Sequence, residues 1–221
     1  MYEIVRNVLL IFAALLPIVN PLGMAPIFAE MTLGYSPAVR RSVALRVAIN
    51  GVALLVISLF IGGYILQFFG ISLAAVQLGG GLVVTVAGWQ ILNKTSDFRD
   101  KQIDKAPSSQ QILSQAFFPL TMPLTVGPGS IAVALTLGSN LHTETHLQLI
   151  VSALTAVIGL LAIGVVIFLC YWFSEGLQRL LGPTGTSILI RLSAFLVVCI
   201  GIQIMYNGLE DFYHVLRSSV G

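Results

Sequence analysis

Two stretches rich in proline and glycine interrupt long apolar runs: residues 20–26 read NPLGMAP, and residues 119–129 read PLTMPLTVGPG. A proline inside a helix removes a backbone N–H donor and presses against the preceding turn, which costs about 3 kcal/mol. The rest of the chain is strongly apolar. Of its 221 residues, 57% are hydrophobic and 9% are charged, whereas soluble domains carry about 25% charged residues. The lipid bilayer is therefore the expected surrounding, and the two interruptions are expected to lie inside membrane spans.

Six apolar stretches are long enough to cross a bilayer, which takes about 20 residues of helix. They cover about residues 4–31, 43–68, 72–93, 113–138, 147–172 and 186–208. Transmembrane β-strands are shorter, at about ten residues, and alternate apolar with polar side chains. The sequence therefore predicts an all-α integral membrane protein of six transmembrane helices, with helices 1 and 4 broken at their prolines.

The basic residues predict the orientation of the spans. Of the 11 lysines and arginines, only Arg6 and Arg217 lie on the side of the termini. The other nine flank the opposite connections: Arg40, Arg41, Arg46, Lys94, Arg99, Lys101, Lys105, Arg179 and Arg191. Because loops rich in Lys and Arg stay in the cytoplasm, both termini are expected outside it.

The two halves of the chain resemble each other. Leu82-Val83-Val84 matches Leu196-Val197-Val198, and the proline pairs of spans 1 and 4 are both four residues apart. This predicts a three-span repeat at 1–93, a cytoplasmic polar linker at 94–112 and a second three-span repeat at 113–221. Since each unit has three spans, the second must be inverted relative to the first, as in many secondary transporters.

The breaks are the candidate binding site. Interrupted helices at membrane depth are tolerated where protein or a water-filled cavity solvates the freed backbone. A half-helix that starts at a break offers free N–H groups and a positive dipole end, which suit a carboxylate. Two alternatives stay open: the prolines only kink the bundle, and the polar side chains only cap broken backbone. The candidate substrate-binding residues here are Asn20, Pro21, Gly23, Thr121, Thr125, Gly127, Pro128, Gly129 and Ser130.

A few further polar residues lie in the predicted spans. Gln90 and Gln203 are expected to contact substrate or to hydrogen-bond between helices. Arg191 is expected to act as a gate or anion contact, or to extend its charge to the surface. Glu30 is a second candidate gate or ion contact, and Arg40 or Arg41 is its expected partner. Gly79-Gly80-Gly81 predicts close helix packing, with backbone approach to substrate as the alternative.

Other function classes find little support. A net charge of +2 gives no concentrated basic face for nucleic acid. Cys170 and Cys199 lie in apolar runs, and no histidine lies inside a predicted span. An enzyme would need a nucleophile–base pair or a metal cluster at depth. We therefore expect no enzyme, no catalytic residue, no metal site and no cofactor.

The chain resembles the MarC family, also called the neutral amino acid transporter family, over essentially its whole length. The resemblance rests on Val19-Asn20-Pro21-Leu22-Gly23, on the run that ends in Gly127-Pro128-Gly129, and on the tail from Arg191 through Gln203 to Asn207-Gly208. It departs at Gln77, where the family often has arginine.

The resemblance implies a multi-pass protein of the bacterial inner membrane. In some members it implies transport of small neutral amino acids such as alanine and glycine. The sequence is therefore interpreted as a secondary transporter or facilitator of zwitterions that works by alternating access around the two breaks. An exporter of small drugs or metabolites, and a regulatory or structural membrane protein, are the alternatives. The exact substrate, direction, coupling ion and oligomeric state stay open.

Overall fold

The structure, a computed structural model, describes residues 2–93, 109–139 and 146–220, and within these ranges every regular element is a helix. The elements are α1 (Tyr2–Val19), α2 (Pro21–Met31), α3 (Pro37–Phe69), α4 (Leu73–Asn93), α5 (Ser109–Ser114), a π-helix (Ala116–Thr125), α6 (Pro128–Ser139), α7 (His146–Trp172) and α8 (Ser174–Val220). One residue of α8, Gly182, is non-helical at φ 65° and ψ 178°, so a short first part precedes a long second part. Most of the predicted linker, at 94–108, lies outside the described residues.

The described residues contain four helices that are long and apolar enough to cross a membrane, or six such spans if each bent pair counts as one. Four helical stretches are long and apolar enough to cross a bilayer: Pro37–Phe69, Leu73–Asn93, Ile150–Trp172 and Thr184–His214. Two bent pairs meet the same criteria together, Val5–Val19 with Pro21–Met31 and Ala116–Thr125 with Pro128–Ser139. The predicted all-α class and the two breaks are confirmed for the described residues, and the six predicted spans agree with these four helices and two bent pairs.

The half-helix that follows each break packs against the other half of the chain. Helix α2 contacts α7 and α8, whereas α6 contacts α3 and α4. Helices α3 and α7 contact each other, as do α4 and α8. The two breaks are therefore held at an interface between the halves and not within either half.

Glycines bring α4 and α8 into close contact. A Cβ added at Gly81 would lie 2.6 Å from the carbonyl oxygen of Gly201, and one at Gly88 would lie 3.0 Å from the carbonyl oxygen of Ala194. The order of these contacts shows that the two helices run antiparallel. Gly79, by contrast, has open space around the position of its Cβ. The predicted close packing is thus confirmed for Gly81, whose missing side chain lets the two backbones touch.

The buried apolar core joins both broken spans to α3 and α7. Its fully buried members include Leu15, Phe28, Val47, Leu120 and Tyr171. The outer faces of the long helices instead expose large apolar side chains such as Ile57, Leu161 and Leu196. Such a surface suits a hydrocarbon environment, because in water an apolar area of this extent favours association.

Candidate functional site at two broken helices

The first break is a single residue, Asn20, between α1 and α2, where the chain bends by 44°. Pro21 disfavours the right-handed helical region for the residue before it. Asn20 instead adopts the left-handed conformation, φ 45° and ψ 53°, which asparagine tolerates better than most residues. Its Oδ1 accepts a hydrogen bond from the N–H of Gly23 at 3.3 Å, so Asn20 caps α2. The expected capping role of Asn20 is therefore confirmed.

The cap leaves the amide nitrogen of Asn20 with nothing to bind. Nδ2 of Asn20 is buried and has no hydrogen-bond partner among the described residues. Around it, Gly23 lies directly against the side chain of Ser193 on α8. An amide N–H without a partner costs about 1–3 kcal/mol when buried. The first break therefore presents an unused donor beside the start of a half-helix.

Helix α2 is also tied to the start of α8. Nε2 of Gln178 donates to the carbonyl oxygen of Pro26 at 3.0 Å. Pro26 lies inside α2 and has no backbone N–H to donate within that helix. The contact anchors the half-helix after the break to the connection between α7 and α8.

The second break is longer and has a different construction. Two prolines, Pro119 and Pro123, each follow a cis peptide bond, and the residues before them have extended backbone. The amide N–H of Val126 bonds to the carbonyl of Thr121 at 2.8 Å, five residues back, as in a π-helix. The chain then turns by 70° into α6.

Two threonine hydroxyls in this segment satisfy backbone carbonyls. Thr121 donates to the carbonyl of Ala116 at 2.6 Å, and Thr125 donates to the carbonyl of Leu120 at 2.7 Å. Both side chains are almost fully buried. The expectation that these hydroxyls serve the broken backbone is confirmed, and each keeps lone pairs that can still accept.

Gly127 directly precedes α6, the half-helix that follows the second break. Its carbonyl accepts both the N–H of Ile131 at 3.1 Å and the hydroxyl of Ser130 at 2.9 Å. A Cβ on Gly127 would meet only the carbonyl oxygen of Pro123, at 3.1 Å, whereas one on Gly129 would run into Val84. Gly129 is therefore a packing glycine, and Gly127 is the one with open space beside the break.

No hydrogen bond among the described residues joins the breaks to three of the predicted site residues, Gln90, Gln203 and Arg191. Gln90 and Gln203 are exposed on α4 and α8, and Gln203 donates to Asn207 at 2.9 Å, on its own helix. Arg191 is exposed on α8, and Glu30 is half-buried near the end of α2. The nine residues chosen for the two breaks do lie at them, since they form the breaks themselves.

Arg40, one of the two arginines expected to pair with Glu30, pairs with Glu175 at the start of α8. The guanidinium of Arg40 is buried and also donates to the carbonyl of Thr32 at 3.4 Å. Hydrogen bonding and charge from Arg40, with a further contribution from Arg179, hold the pKa of the Glu175 carboxyl below its usual range. This network joins the start of α3 to the end of α2 and the start of α8.

Gln77, the departure from the family pattern, is buried on α4. Its Nε2 donates to the hydroxyl of Thr136 on α6 at 3.2 Å, and its Oε1 has no partner among the described residues. A neutral amide thus joins the two helices where an arginine would bring a buried charge. The amide accordingly acts as the interhelical contact that the sequence assigned to Gln90 and Gln203.

Sequence reasoning missed Tyr171, Ser193 and Gln178, all of which touch the breaks. Each contacts a residue more than 40 positions away, so no spacing along the chain indicates it. One signal was available: Tyr171 and Ser193 are polar side chains inside otherwise apolar spans, where a polar group needs a partner.

Comparison with known proteins places the chain beside a set of bacterial membrane proteins. A family model described as MarC family integral membrane protein matches residues 5–213. The membrane protein YhcE of Escherichia coli (strain K12) is 30% identical over 207 residues, which cover 91% of each chain. The inner membrane protein MarC of Salmonella typhimurium is 28% identical over 221 residues, 97% of this chain and 100% of the relative. YvbG of Bacillus subtilis is 28% identical over 94% of this chain and 96% of its own. No solved structure matches the chain.

Proposed function

Because the chain belongs to the MarC family of integral membrane proteins, we propose that it is a secondary transporter or facilitator of small zwitterionic amino acids. In this proposal substrate binds at the two breaks, and the site opens to each face of the membrane in turn. Alanine and glycine are the proposed substrates. The observation that carries the proposal is the unused amide donor of Asn20 at the start of a half-helix.

The first break suits the carboxylate of an amino acid. The buried N–H of Asn20 Nδ2 has no partner, and the positive end of the α2 dipole lies at the same residue. The side chain of Ser193, which touches Gly23, is near enough to offer a further hydroxyl. A bound carboxylate would thus relieve the cost of an unpaired amide.

The second break suits the ammonium group. Thr125 and Ser130 have already donated their protons to carbonyls of the chain. Each oxygen keeps at least one lone pair, even though that of Thr125 also lies 2.7 Å from the hydroxyl of Tyr171. An ammonium group supplies three donors and no acceptor. The two broken segments lie together, because α2 contacts the π-helix and α1 contacts α6. A donor at one break and acceptors at the other match the two ends of a zwitterion.

Alternating access is supported by the packing of each half-helix on the opposite half of the chain. Helix α2 packs on α7 and α8 of the second half, and α6 packs on α3 and α4 of the first. This reciprocal pattern is what two inverted repeats related by an axis in the membrane plane would give. We propose that rocking of one half against the other opens the site to each side. The proposed setting is the bacterial inner membrane, with both termini outside the cytoplasm.

A thermal-shift comparison of purified protein tests the substrate class. A ligand at about 100 times its dissociation constant raises the free energy of unfolding by about 2.7 kcal/mol. Alanine and glycine should stabilise the protein, whereas propionate, which lacks the ammonium, and ethylamine, which lacks the carboxylate, should not. Uptake of labelled alanine into proteoliposomes then tests transport. Stabilisation by neither amino acid, together with no uptake, would refute the proposal and favour an exporter of other metabolites or a non-transport role.

A further inference from the structure

Tyr171 near the end of α7 touches both broken spans at once. Its side chain is fully buried. Its ring stacks on Phe28 of α2, with centroids 4.4 Å apart and planes 14° from parallel. Its hydroxyl lies 2.7 Å from the hydroxyl of Thr125, the last residue of the π-helix. One rigid side chain therefore connects the half-helix after the first break to the segment that forms the second.

Counting protons fixes the direction of the hydrogen bond. The hydroxyl of Thr125 has one proton, and it donates that proton to the carbonyl of Leu120 at 2.7 Å. The hydroxyl of Tyr171 must then be the donor, and the oxygen of Thr125 accepts. The hydroxyl of the last residue of the π-helix thus donates one hydrogen bond, to Leu120, and accepts another, from Tyr171.

The residues that follow Tyr171 anchor it to the rest of the bundle. The hydroxyl of Ser174 donates to the carbonyl of Tyr171 at 2.7 Å. The guanidinium of Arg41, on α3, lies 4.7 Å from the ring centre of Trp172. Glu175 pairs with Arg40, also on α3. The backbone at Tyr171 is therefore fixed relative to α3, and its side chain contacts both broken spans.

We propose that Tyr171 is a positioning residue that couples the two breaks, so that a shift of α2 is passed to the π-helix. This inference rests on the proposed function only in supposing that the breaks move. The ring and the hydroxyl belong to one planar group, so displacement of the Phe28 ring must turn Tyr171 or break the stack. When Tyr171 turns with the Phe28 ring, its hydroxyl moves from Thr125 and the geometry of the second break changes.

A labelling cycle tests this coupling without any substrate. In a protein carrying Cys170→Ala and Cys199→Ala, the reporter is Gly127→Cys, since a Cβ there meets only one backbone oxygen. The measurement is the rate of its reaction with a maleimide in proteoliposomes. Phe28→Leu removes the stacking partner and should change this rate about fivefold, the factor expected from one buried hydrogen bond. In the Tyr171→Phe background, which keeps the ring and loses the hydroxyl, the same substitution should change it little.

The control is Tyr64→Phe, which removes an equal hydroxyl from an exposed position on α3. In that background Phe28→Leu should keep its full effect. Should Phe28→Leu not fold, Thr125→Val tests the coupling in reverse, read from a cysteine at the exposed Leu22 in α2. Equal effects in the Tyr171 and Tyr171→Phe backgrounds, or no effect in either, would overturn the inference.

The two proposals fail in distinguishable ways. If Phe28→Leu changes the labelling rate only when the Tyr171 hydroxyl is present, but the unchanged protein takes up no alanine, transport is refuted and the role of Tyr171 stands. Alanine uptake without coupled labelling would do the opposite.

Discussion

Replacement of Asn20 by alanine and by glycine separates the structural role of this residue from its proposed role in binding. Both changes remove the amide, and with it the buried Nδ2 that has no partner. They differ in the backbone, because Asn20 has φ 45° and glycine adopts this conformation without steric cost. A matched pair of variants at one position therefore isolates each contribution.

The expected stabilities follow from the geometry. Alanine loses the cap on the N–H of Gly23, which costs about 1 kcal/mol. It also lacks the polar side chain that lets asparagine tolerate the left-handed region, at a further cost of about 1 kcal/mol. These two losses sum to about 2 kcal/mol, which corresponds to about 4–8 °C in Tm for a chain of this length. Glycine at a cap costs only a few tenths of a kcal/mol, and both variants gain equally from losing the unpaired amide, so Asn20→Ala should unfold about 4–8 °C below Asn20→Gly.

Function should follow the amide and not the stability. Thermal unfolding with and without alanine, and alanine uptake into proteoliposomes, are the two assays. Asn20→Gly should fold normally and yet lose most of the stabilisation by alanine and most of the uptake. Normal uptake by Asn20→Gly would refute a role for the amide in binding. Equal Tm values for the alanine and glycine variants would refute the backbone argument.

Three further changes test other parts of the structure. Gly81→Ala puts a Cβ 2.6 Å from a backbone carbonyl of α8 and should lower Tm by several degrees. Gly79→Ala, whose Cβ would lie in open space, should leave Tm unchanged. Equal Tm values for the two variants would contradict the close packing of α4 against α8. Because the pKa of Glu175 is lowered, its carboxylate stabilises the fold fully above the ordinary value of 4.5, and this stabilisation is lost as the pH falls through the lowered pKa. Glu175→Gln should therefore lower Tm at pH 7, and unfolding scans should show the difference shrinking below about pH 4.5; a difference independent of pH would argue against the ion pair with Arg40. A cysteine at Asp100 should react with an impermeant maleimide only after the membrane is opened, and labelling in intact cells would reverse the proposed orientation.

Local chemistry made the first break predictable. Asn20 precedes a proline, and asparagine is suited both to the left-handed region and to capping, so the sequence specifies the place and the shape of the turn. The second break could be located but not described. Two prolines four residues apart exclude an ordinary helix, yet several irregular paths remain, and packing against other helices selects among them.

The features that the sequence did not predict depend on contacts between residues far apart along the chain. The sequence did not indicate that Arg40 pairs with Glu175, which lies 135 residues away. Gln90 and Gln203 were chosen because they are polar and lie inside spans, but the side they face depends on how α4 and α8 rotate against each other. That rotation is set by the glycine contacts, which bury Gly81 and leave both amides outside.

The two breaks divide the chemistry of the proposed site unequally. At the second break the hydroxyls of Thr121, Thr125 and Ser130 all donate to carbonyls of their own segment. At the first break a single residue makes the turn and still leaves one donor unused. A segment whose polar groups are already paired can move as a unit without exposing them, which suits a hinge. A buried donor without a partner gains most from a ligand, because binding removes a cost that the empty site carries. In the proposed transporter the first break is therefore the better anchor for substrate and the second the better moving part, and the side chain of Tyr171 contacts both broken spans.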